Sequence, residues 1–194
     1  MPIPSDKNYL RNFYLQKRYL LSQEEFKSIN DGLLRNFITI NFNKVNILNT
    51  FIGITDKGEP DTISLINNVR LNYPKVKITA PKVNFNDYSL SSVLLDPNTQ
   101  LEVNKWNILE PQNTPTIDKR LIDVMIVPLV CVDKRGYRIG YGKGFYDRFI
   151  NECREDMLTI GLSLFPPIDK IEQENHDIKL KACITPSEII YFKK

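Results

Sequence analysis

The first forty residues space their apolar positions as helices do. A first helix is expected to begin near Ser5 or Asp6, residue types that cap helices. The residues that then share one stripe at helical spacing are Leu10, Tyr14, Lys17 and Leu21. Residues 22–25 (SQEE) form a capping-box pattern, which predicts a second helix running toward Phe37. Two helices therefore precede any strand.

From residue 45 onward, strand and helix patterns alternate. Residues 45–54 are rich in β-branched side chains, which is typical of a strand, whereas residues 62–72 repeat their apolar positions at helical spacing. Pro74 ends that helix, because proline disfavours helix at the residue before it. Residues 76–80 predict a short strand that ends at Pro81. Strand, helix, strand in this order is typical of a parallel sheet in an α/β fold.

The most apolar stretch of the chain is residues 123–133, which predicts one central strand covered on both faces. The segment before it is less regular: residues 90–95 and 101–103 predict short strands and a small hairpin, and residues 110–113 a turn. Further strands are expected over residues 159–165, 181–185 and 189–192.

Composition narrows the class of protein. With 194 residues, 42% of them hydrophobic, the chain can bury a full core, and we expect a single domain over 1–194. The three cysteines show no CxxC spacing, so neither a zinc site nor a disulfide framework is indicated. The first residues contain no apolar leader segment, and no later stretch reaches the length that a membrane span needs. We expect a cytoplasmic protein without a membrane partner.

Charge is unevenly distributed. The net charge of +3 is too small for a nucleic-acid polycation, but five cations between residues 134 and 148 face one acid, Asp147. These cations are Lys134, Arg135, Arg138, Lys143 and Arg148. Such a run is typical either of an anion-binding loop or of a solvated surface, and charge alone does not decide between them.

The first helix carries a second basic feature. Lys7, Arg11 and Arg18 point within roughly 40° of one another at 100° per residue. A face of this kind is more often solvated than functional. The single tryptophan, Trp106, is likewise more often a core residue than a stacking group.

Three of the eight glycines, Gly140, Gly142 and Gly144, alternate directly after the predicted central strand. Such glycines let a backbone adopt positive φ and bring its amides close to phosphates, and a helix beginning at Gly144 would add its dipole. The loop is not a Walker A motif, because Tyr137 stands where glycine is required and Gly144 where serine or threonine is required. It is not a dinucleotide fingerprint either, because Phe145 replaces the third glycine.

The loop and its surroundings resemble the signature of the 5-formyltetrahydrofolate cyclo-ligase family, also called methenyltetrahydrofolate synthetases. The residues that match the long signature are Pro128, Asp133, Gly136, Arg138, Ile139, Gly140, Gly142, Gly144, Tyr146, Asp147 and Arg148. Shorter family motifs are matched by Lys7, Leu10, Arg11 and Arg18, by Glu59, Asp61 and Thr62, by Trp106, and by His176 and Asp177. The chain departs from the family pattern at Leu129, where glycine is usual, and at Phe145, where tyrosine is usual.

The resemblance implies a fold and a reaction. The family has a three-layer αβα fold with a largely parallel sheet, similar to phosphosugar isomerases and CoA transferases. Its enzymes convert 5-formyltetrahydrofolate and ATP to 5,10-methenyltetrahydrofolate, ADP and phosphate, through phosphorylation of the formyl oxygen. The partners implied are these small molecules and Mg²⁺, with a monomeric protein and no nucleic acid.

By resemblance, roles also follow for individual residues. Those expected to act in catalysis are Lys143, Arg138 and Tyr146. Those expected to bind ATP are Lys7, Arg11, Arg138, Ile139, Gly140, Tyr141, Gly142, Lys143, Gly144, Phe145 and Tyr146. The folate pocket is expected to contain Ile54, Glu59, Trp106 and Phe145, and the Mg²⁺ ligands, directly or through water, are Asp147 and Asp177.

Two other functions remain open from the sequence. A nucleic-acid-binding module could use the basic loop with stacking by Tyr137, Tyr141, Phe145 and Tyr146. A non-catalytic binder of folate or nucleotide could share the same residues. His176, the sole histidine, is interpreted as a structural neighbour of Asp177 rather than a general base, because the cyclisation has no obvious need for imidazole.

Overall fold

The computed structural model of the chain describes residues 6–87 and 89–193. Its helices are α1 (Lys7–Tyr19), α2 (Gln23–Phe37), α3 (Thr62–Asn72) and α4 (Phe145–Asn151). Its strands are β1 (Ile47–Thr50), β2 (Lys77–Asn84), β3 (Ser89–Leu94), β4 (Leu101–Val103), β5 (Leu109–Pro111), β6 (Thr116–Ile117), β7 (Val124–Pro128), β8 (Cys131–Val132), β9 (Arg138–Ile139), β10 (Leu158–Leu162), β11 (Ala182–Ile184) and β12 (Ile189–Tyr191).

The first two helices begin where their caps are expected. The Asp6 side chain accepts a hydrogen bond from the Tyr9 backbone N–H and caps α1, while the alternative cap, Ser5, lies outside the described residues. Ser22 and Glu25 form the predicted capping box of α2. On α1 the predicted stripe is buried at Leu10 and Tyr14, whereas Lys17 is exposed and Leu21 lies beyond the end of the helix.

The central sheet has eight strands in the order β12-β11-β10-β7-β1-β2-β3-β6. The five central strands, β11, β10, β7, β1 and β2, are mutually parallel, and the antiparallel pairings are confined to the edges. This arrangement confirms the expected α/β fold with a largely parallel sheet.

Helices cover both faces of the sheet and make three layers. Along β7, Val124 and Ile126 pack into a core that includes residues of α1, α2 and α3, whereas Met125 and Val127 pack into a second core with Phe149 of α4. Successive residues of a strand point to opposite faces, so a strand covered on both sides is apolar throughout. The longest described helix, α2, has 15 residues, and no helix in the described part of the chain is both long and apolar enough to cross a bilayer.

The prediction of one strand over 123–133 is wrong, because this stretch serves two sheets. The chain leaves the central sheet after Pro128, the last residue to pair with β10. The Val130 backbone N–H then donates to the Ile139 carbonyl, and β8 pairs with β9 as a separate antiparallel hairpin. Both parts are buried, so hydrophobicity alone does not reveal the break between them.

The prediction that a strand ends at Pro81 is also wrong, since β2 continues to Asn84. The parallel pairing of β2 with β1 ends at Thr79, and beyond it β2 pairs with β3 alone. The Val83 N–H donates to the Glu110 side chain, away from β3. Pro81, two residues earlier, has its nitrogen on that same side, so its missing N–H removes no ladder bond.

The hairpin expected in the middle of the chain is present, with β4 paired to β5. The turn predicted over 110–113 is wrong in part, because Glu110 and Pro111 lie in β5 opposite Glu102 and Leu101. This hairpin lies outside the central sheet and forms part of the wall described below.

Candidate active site

A cleft of about 760 Å³ opens beyond the carboxyl ends of β1 and β7, where open parallel sheets bind ligands. Phe51 and Ile52 follow β1 into this cleft, and Pro128 closes β7 at its edge. All the residues for which the sequence predicted a role line it: Lys7, Arg11, Ile54, Glu59, Trp106, Arg138, Ile139, Gly140, Tyr141, Gly142, Lys143, Gly144, Phe145, Tyr146, Asp147 and Asp177. The structure thus brings together residues from α1, the β1–α3 connection and the β4–β5 hairpin. They meet residues 140–144, called the glycine loop below, and residues 174–177 near the C-terminus.

The glycine loop is shaped by two left-handed residues, Gly142 with φ +85° and Gly144 with φ +65°. Gly140 does not need this freedom, because its φ lies outside the left-handed region. A Cβ at this position would have no atom within 4 Å, so the space beside Gly140 is open. The Arg11 Nε donates to the Gly140 carbonyl at 2.8 Å and ties the loop to α1. The hydrogen bond from Arg11 therefore fixes the loop without filling the space beside Gly140.

Lys143 is the cation of the basic run that lacks a partner in the described part of the chain. Three other members of the run are paired with carboxylates: Lys134 with Asp169, Arg135 with Asp133 and Arg138 with Asp147. Lys143 is exposed at the cleft and its ammonium forms no hydrogen bond or ion pair with a described residue. Its charge is available to an anionic ligand.

The basic face of α1 is directed at the cleft and the glycine loop rather than at bulk water. Lys7 Nζ lies 2.6 Å from Asp177 Oδ2 and 3.2 Å from Glu174 Oε1. Burial opposes the charge on Lys7, but the hydrogen bonds and charges of the two carboxylates outweigh it and raise the pKa of Lys7 above its ordinary value. Burial likewise opposes the charge on Asp177, yet Lys7 and the Glu174 backbone N–H lower its pKa. The pair is charged near neutral pH.

A second ion pair lies deeper in the cleft. Arg138, whose side chain is 4% exposed, donates to Asp147 Oδ1 at 2.9 Å and to the Ile178 carbonyl at 2.8 Å. The Ile178 backbone N–H donates to the same oxygen of Asp147. Burial lowers the pKa of Arg138, which the Asp147 carboxylate partly offsets.

The two carboxylates predicted as metal ligands have the oxygen chemistry that Mg²⁺ prefers. Asp177 accepts its hydrogen bonds at Oδ2 and Asp147 at Oδ1, which leaves one oxygen of each without a donor among the described residues. Residues 6–87 and 89–193 contain no cluster of three or more His, Cys, Asp or Glu side chains that could hold a metal alone. The donors fit a cation that phosphate and water also coordinate.

Glu59 is fixed by contacts at both of its oxygens. The Tyr141 hydroxyl donates to Oε1, and the Ile54 backbone N–H donates to Oε2 at 3.0 Å. Burial and the charge of Glu59 raise the pKa of Tyr141 well above its usual range, so the phenol remains a donor. Arg18 Nη1 in turn donates to the Tyr141 hydroxyl at 3.1 Å. Glu59 is thereby linked to the glycine loop and to buried Arg18 of α1.

Aromatic rings form one wall of the cleft. Trp106 lies 5.6 Å from Phe145 and 4.8 Å from Phe85 between ring centroids. Trp106 is therefore a half-buried wall residue rather than a core residue. Burial also raises the pKa of Tyr146 far above its usual value, so its hydroxyl is neutral.

The two departures from the family pattern fit the structure without backbone strain. Among the described residues other than glycine, positive φ occurs at Asn107 and Asn113, so Leu129 does not require the glycine that is usual there. Its carbonyl accepts a hydrogen bond from Arg18 at 2.9 Å. Phe145 uses its ring as a wall surface and stacks beneath the Arg148 guanidinium, 5.5 Å from it.

Sequence reasoning missed three charged residues that also line the cleft: Lys57, Glu110 and Glu174. Glu110 was hidden by the mistaken turn, and Glu174 had no motif beyond its proximity to the His176–Asp177 pair. His176 lines the cleft mouth with its Nε2 3.1 Å from Glu174 Oε2.

The geometry bears on the nucleic-acid alternative. The paired cations Lys134 and Arg135 contact Asp169 and Asp133, and Arg135 also covers the Tyr137 ring at 4.9 Å. The Tyr141 hydroxyl is engaged with Glu59. Two cations and two tyrosine rings of the loop are therefore already engaged by other residues of the chain.

Comparison with known proteins gives a consistent result. Residues 3–186 match the 5-formyltetrahydrofolate cyclo-ligase family. A 5-formyltetrahydrofolate cyclo-ligase from Mycoplasma pneumoniae is 28% identical over 164 residues, covering 81% of this chain and 85% of that protein. A probable 5-formyltetrahydrofolate cyclo-ligase from Schizosaccharomyces pombe is 33% identical over 105 residues, which span 46% of this chain and only 52% of that protein.

Solved structures are similar over almost the whole chain. The NMR structure of the Aquifex aeolicus 5,10-methenyltetrahydrofolate synthetase matches with a TM-score of 0.82 at 27% identity, covering 97% of this chain and 93% of that chain. A 5,10-methenyltetrahydrofolate synthetase from Mycoplasma pneumoniae matches with a TM-score of 0.72 at 23% identity, covering 93% and 98%, and this likeness supports the fold.

Proposed function

The chain belongs to the 5-formyltetrahydrofolate cyclo-ligase family of enzymes, and we propose that it closes the ring of 5-formyltetrahydrofolate to 5,10-methenyltetrahydrofolate at the expense of ATP. The observation that carries the proposal is that one cleft contains both Lys143, whose ammonium has no partner among the described residues, and an aromatic wall. The first suits a triphosphate and the second suits a flat heterocycle.

The chemistry needs ATP because a formyl oxygen is a poor leaving group. Transfer of the γ-phosphoryl group to that oxygen gives an imidate phosphate and ADP. The neighbouring nitrogen then attacks the formyl carbon and loses its proton, and the carbon–oxygen bond breaks to expel phosphate. ADP and phosphate are released, so atoms and charges balance. Phosphoryl transfer depends mainly on positioning and on stabilising charge in the transition state.

Residues around the glycine loop meet the needs of the triphosphate. Gly140 leaves room for a phosphate to approach the backbone, and Arg11 holds the loop through the Gly140 carbonyl. Lys143 supplies the charge at the transferred group. Arg138 orients Asp147, and the neutral Tyr146 hydroxyl serves as a hydrogen-bond donor rather than a base.

Mg²⁺ fits as an ion that enters with ATP, whose phosphate charge it would neutralise. Asp147 and Asp177 would hold it through the oxygens that the described residues leave without donors, directly or through water. Lys7 keeps Asp177 charged for this task by lowering its pKa.

The folate would lie against the aromatic wall. Trp106 and Phe145 offer ring surfaces, Ile54 adds an apolar edge, and Glu59 accepts hydrogen bonds from the N–H groups of the pterin. Because Tyr141 bonds to Glu59 and lies between two glycines of the loop, the nucleotide and folate regions share a direct contact.

The test is to mix the purified protein with 5-formyltetrahydrofolate and MgATP and to follow the near-ultraviolet absorbance of the methenyl product together with released phosphate. We expect one phosphate per product and no reaction when ATP is omitted. A folded protein that shows no absorbance change defeats the enzymatic proposal. Binding of both compounds without turnover would favour the non-catalytic binder.

A further inference from the structure

Glu110 is a buried carboxylate in the wall of the cleft. It lies on β5 and is 2% exposed, yet it lines the cleft beside the apolar side chains of Pro81, Val83 and Leu90. No motif assigned it a role. A carboxylate in such surroundings is costly to bury unless its oxygens are paired.

The protein pairs only part of this carboxylate. Oε1 accepts the Val83 backbone N–H at 2.8 Å, whereas Oε2 accepts no hydrogen bond and faces no cation within ion-pair distance among the described residues. Its direct cross-strand neighbour is another acid, Glu102. Like charges opposite each other in an antiparallel pair are destabilising. Glu110 is therefore a largely buried residue of the cleft wall whose second carboxylate oxygen has no donor among the described residues.

Glu59, the other carboxylate of the folate pocket, differs in this respect. Both of its oxygens already accept hydrogen bonds, from the Tyr141 hydroxyl and from the Ile54 backbone N–H. Each Glu59 oxygen keeps one lone pair for a ligand donor, whereas Oε2 of Glu110 has no donor at all among the described residues. The apolar neighbours of Glu110 strengthen a hydrogen bond that a ligand makes at Oε2 once it displaces the water there.

We propose that Glu110 is a specificity-determining residue that accepts a hydrogen bond from a ring N–H of the reduced pterin. The inference rests on the proposed function, and it adds to the folate pocket a second carboxylate, which lies on the β4–β5 hairpin. A heterocycle that lacks an N–H donor at this position leaves the buried charge unpaired and is rejected.

The proposal predicts opposite effects of one substitution on stability and on binding. In Glu110→Gln the amide carbonyl keeps the bond from Val83 N–H, the buried charge is removed and the repulsion with Glu102 disappears. Thermal stability should therefore hold or rise. The amide NH₂ meets the substrate donor instead of an acceptor, so the dissociation constant for 5-formyltetrahydrofolate should rise about 10- to 100-fold.

Trp106, the only tryptophan, lies in the same wall and reports binding without turnover. The experiment titrates 5-formyltetrahydrofolate against the tryptophan fluorescence of parent, Glu110→Gln and Glu102→Gln, and records thermal unfolding and the KM for ATP. Glu102→Gln is the matched control, because it removes the same charge from the exposed strand of the same hairpin. We expect parental folate affinity for Glu102→Gln and a KM for ATP within about twofold of the parent for both variants.

Parental folate affinity in Glu110→Gln overturns the inference. A Glu110→Gln protein that unfolds or loses affinity for both substrates equally also overturns it, since a structural carboxylate behaves in that way. Failure of the parent itself to bind or convert 5-formyltetrahydrofolate overturns the proposed function, and this result is read before either variant is compared.

Discussion

The substitution Gly140→Ala is expected to change ATP binding without lowering the stability of the protein. The φ of Gly140 lies outside the left-handed region and its Cβ would have no atom within 4 Å, so alanine fits the free protein. We expect the free energy of unfolding of Gly140→Ala to stay within about 0.5 kcal/mol of the parent, or to rise by up to about 1 kcal/mol through the lost freedom of the unfolded chain.

The same methyl group occupies the space in which we place a phosphate. Forcing an extra carbon into a close contact costs about 1–3 kcal/mol. Since about 1.4 kcal/mol corresponds to a tenfold change, the KM for ATP should rise roughly 5- to 150-fold, whereas the KM for 5-formyltetrahydrofolate should change little.

Gly142→Ala provides the contrast two residues away. Gly142 has φ +85°, and its Cβ would lie 3.2 Å from the Arg11 guanidinium carbon. Left-handed backbone costs a non-glycine residue about 1–2 kcal/mol, so this variant should lose that much stability before any ligand is added.

Two measurements on the parent and both variants test whether a phosphate occupies the space beside Gly140. They are denaturant unfolding and the KM for each substrate. A Gly140→Ala protein with parental KM for ATP shows that no phosphate approaches this residue. A loss of more than 1 kcal/mol of its stability shows that the space beside Gly140 is not open in the free protein. Either result refutes the reasoning.

Three further substitutions test the remaining roles. Lys143→Met should lower kcat by roughly 10²–10³-fold with unchanged stability, while the surface control Lys134→Met keeps parental turnover; a Lys143→Met enzyme with more than about a tenth of parental kcat removes this lysine from catalysis. Asp177→Asn should raise the Mg²⁺ concentration needed for activity, and superimposable Mg²⁺ titrations would exclude Asp177 as a ligand. Because the folded-state pKa of Asp177 is lowered, its pairing with Lys7 stabilises the fold above the pKa of the unfolded carboxylate and is lost as pH falls through the folded value, so the stability difference between parent and Asp177→Asn should shrink on acidification. Glu59→Gln should raise the KM for 5-formyltetrahydrofolate more than that for ATP, and equal increases would indicate a structural role.

The composition of the candidate site could be predicted from the sequence because motifs carry local chemistry. The alternating glycines around Lys143 suggested an anion-binding loop, and the family resemblance supplied the expected roles. The structure brings these residues into one cleft, while their roles stay predictions. The basic face of α1 was different: its geometry follows from helical spacing, but charge alone favoured a solvated surface. The contact between Arg11 and Gly140 spans 129 positions, and no local pattern encodes it.

The errors arose where one signal serves two structures. Residues 123–133 are apolar throughout, and hydrophobicity cannot tell a single strand from a strand followed by a hairpin at Pro128. Pro81 was interpreted as a strand end because the sequence does not show which strand lies on each side of β2. The proline nitrogen in fact lies on the side away from β3, where no ladder hydrogen bond is lost. Glu110 was missed since a glutamate before proline is typical of a turn, and its burial depends on β2, which lies far from it in the chain.

The Lys7–Asp177 bond joins positions 170 residues apart. A ribosome must therefore release almost the entire chain before the electrostatic frame of the cleft can exist, although the strand–helix–strand unit of β1, α3 and β2 could assemble much earlier. Under the proposed function, a ligand that needs both Lys7 and Asp177 can stabilise the fold only after residue 177 has been synthesised, so it cannot assist the earlier folding steps.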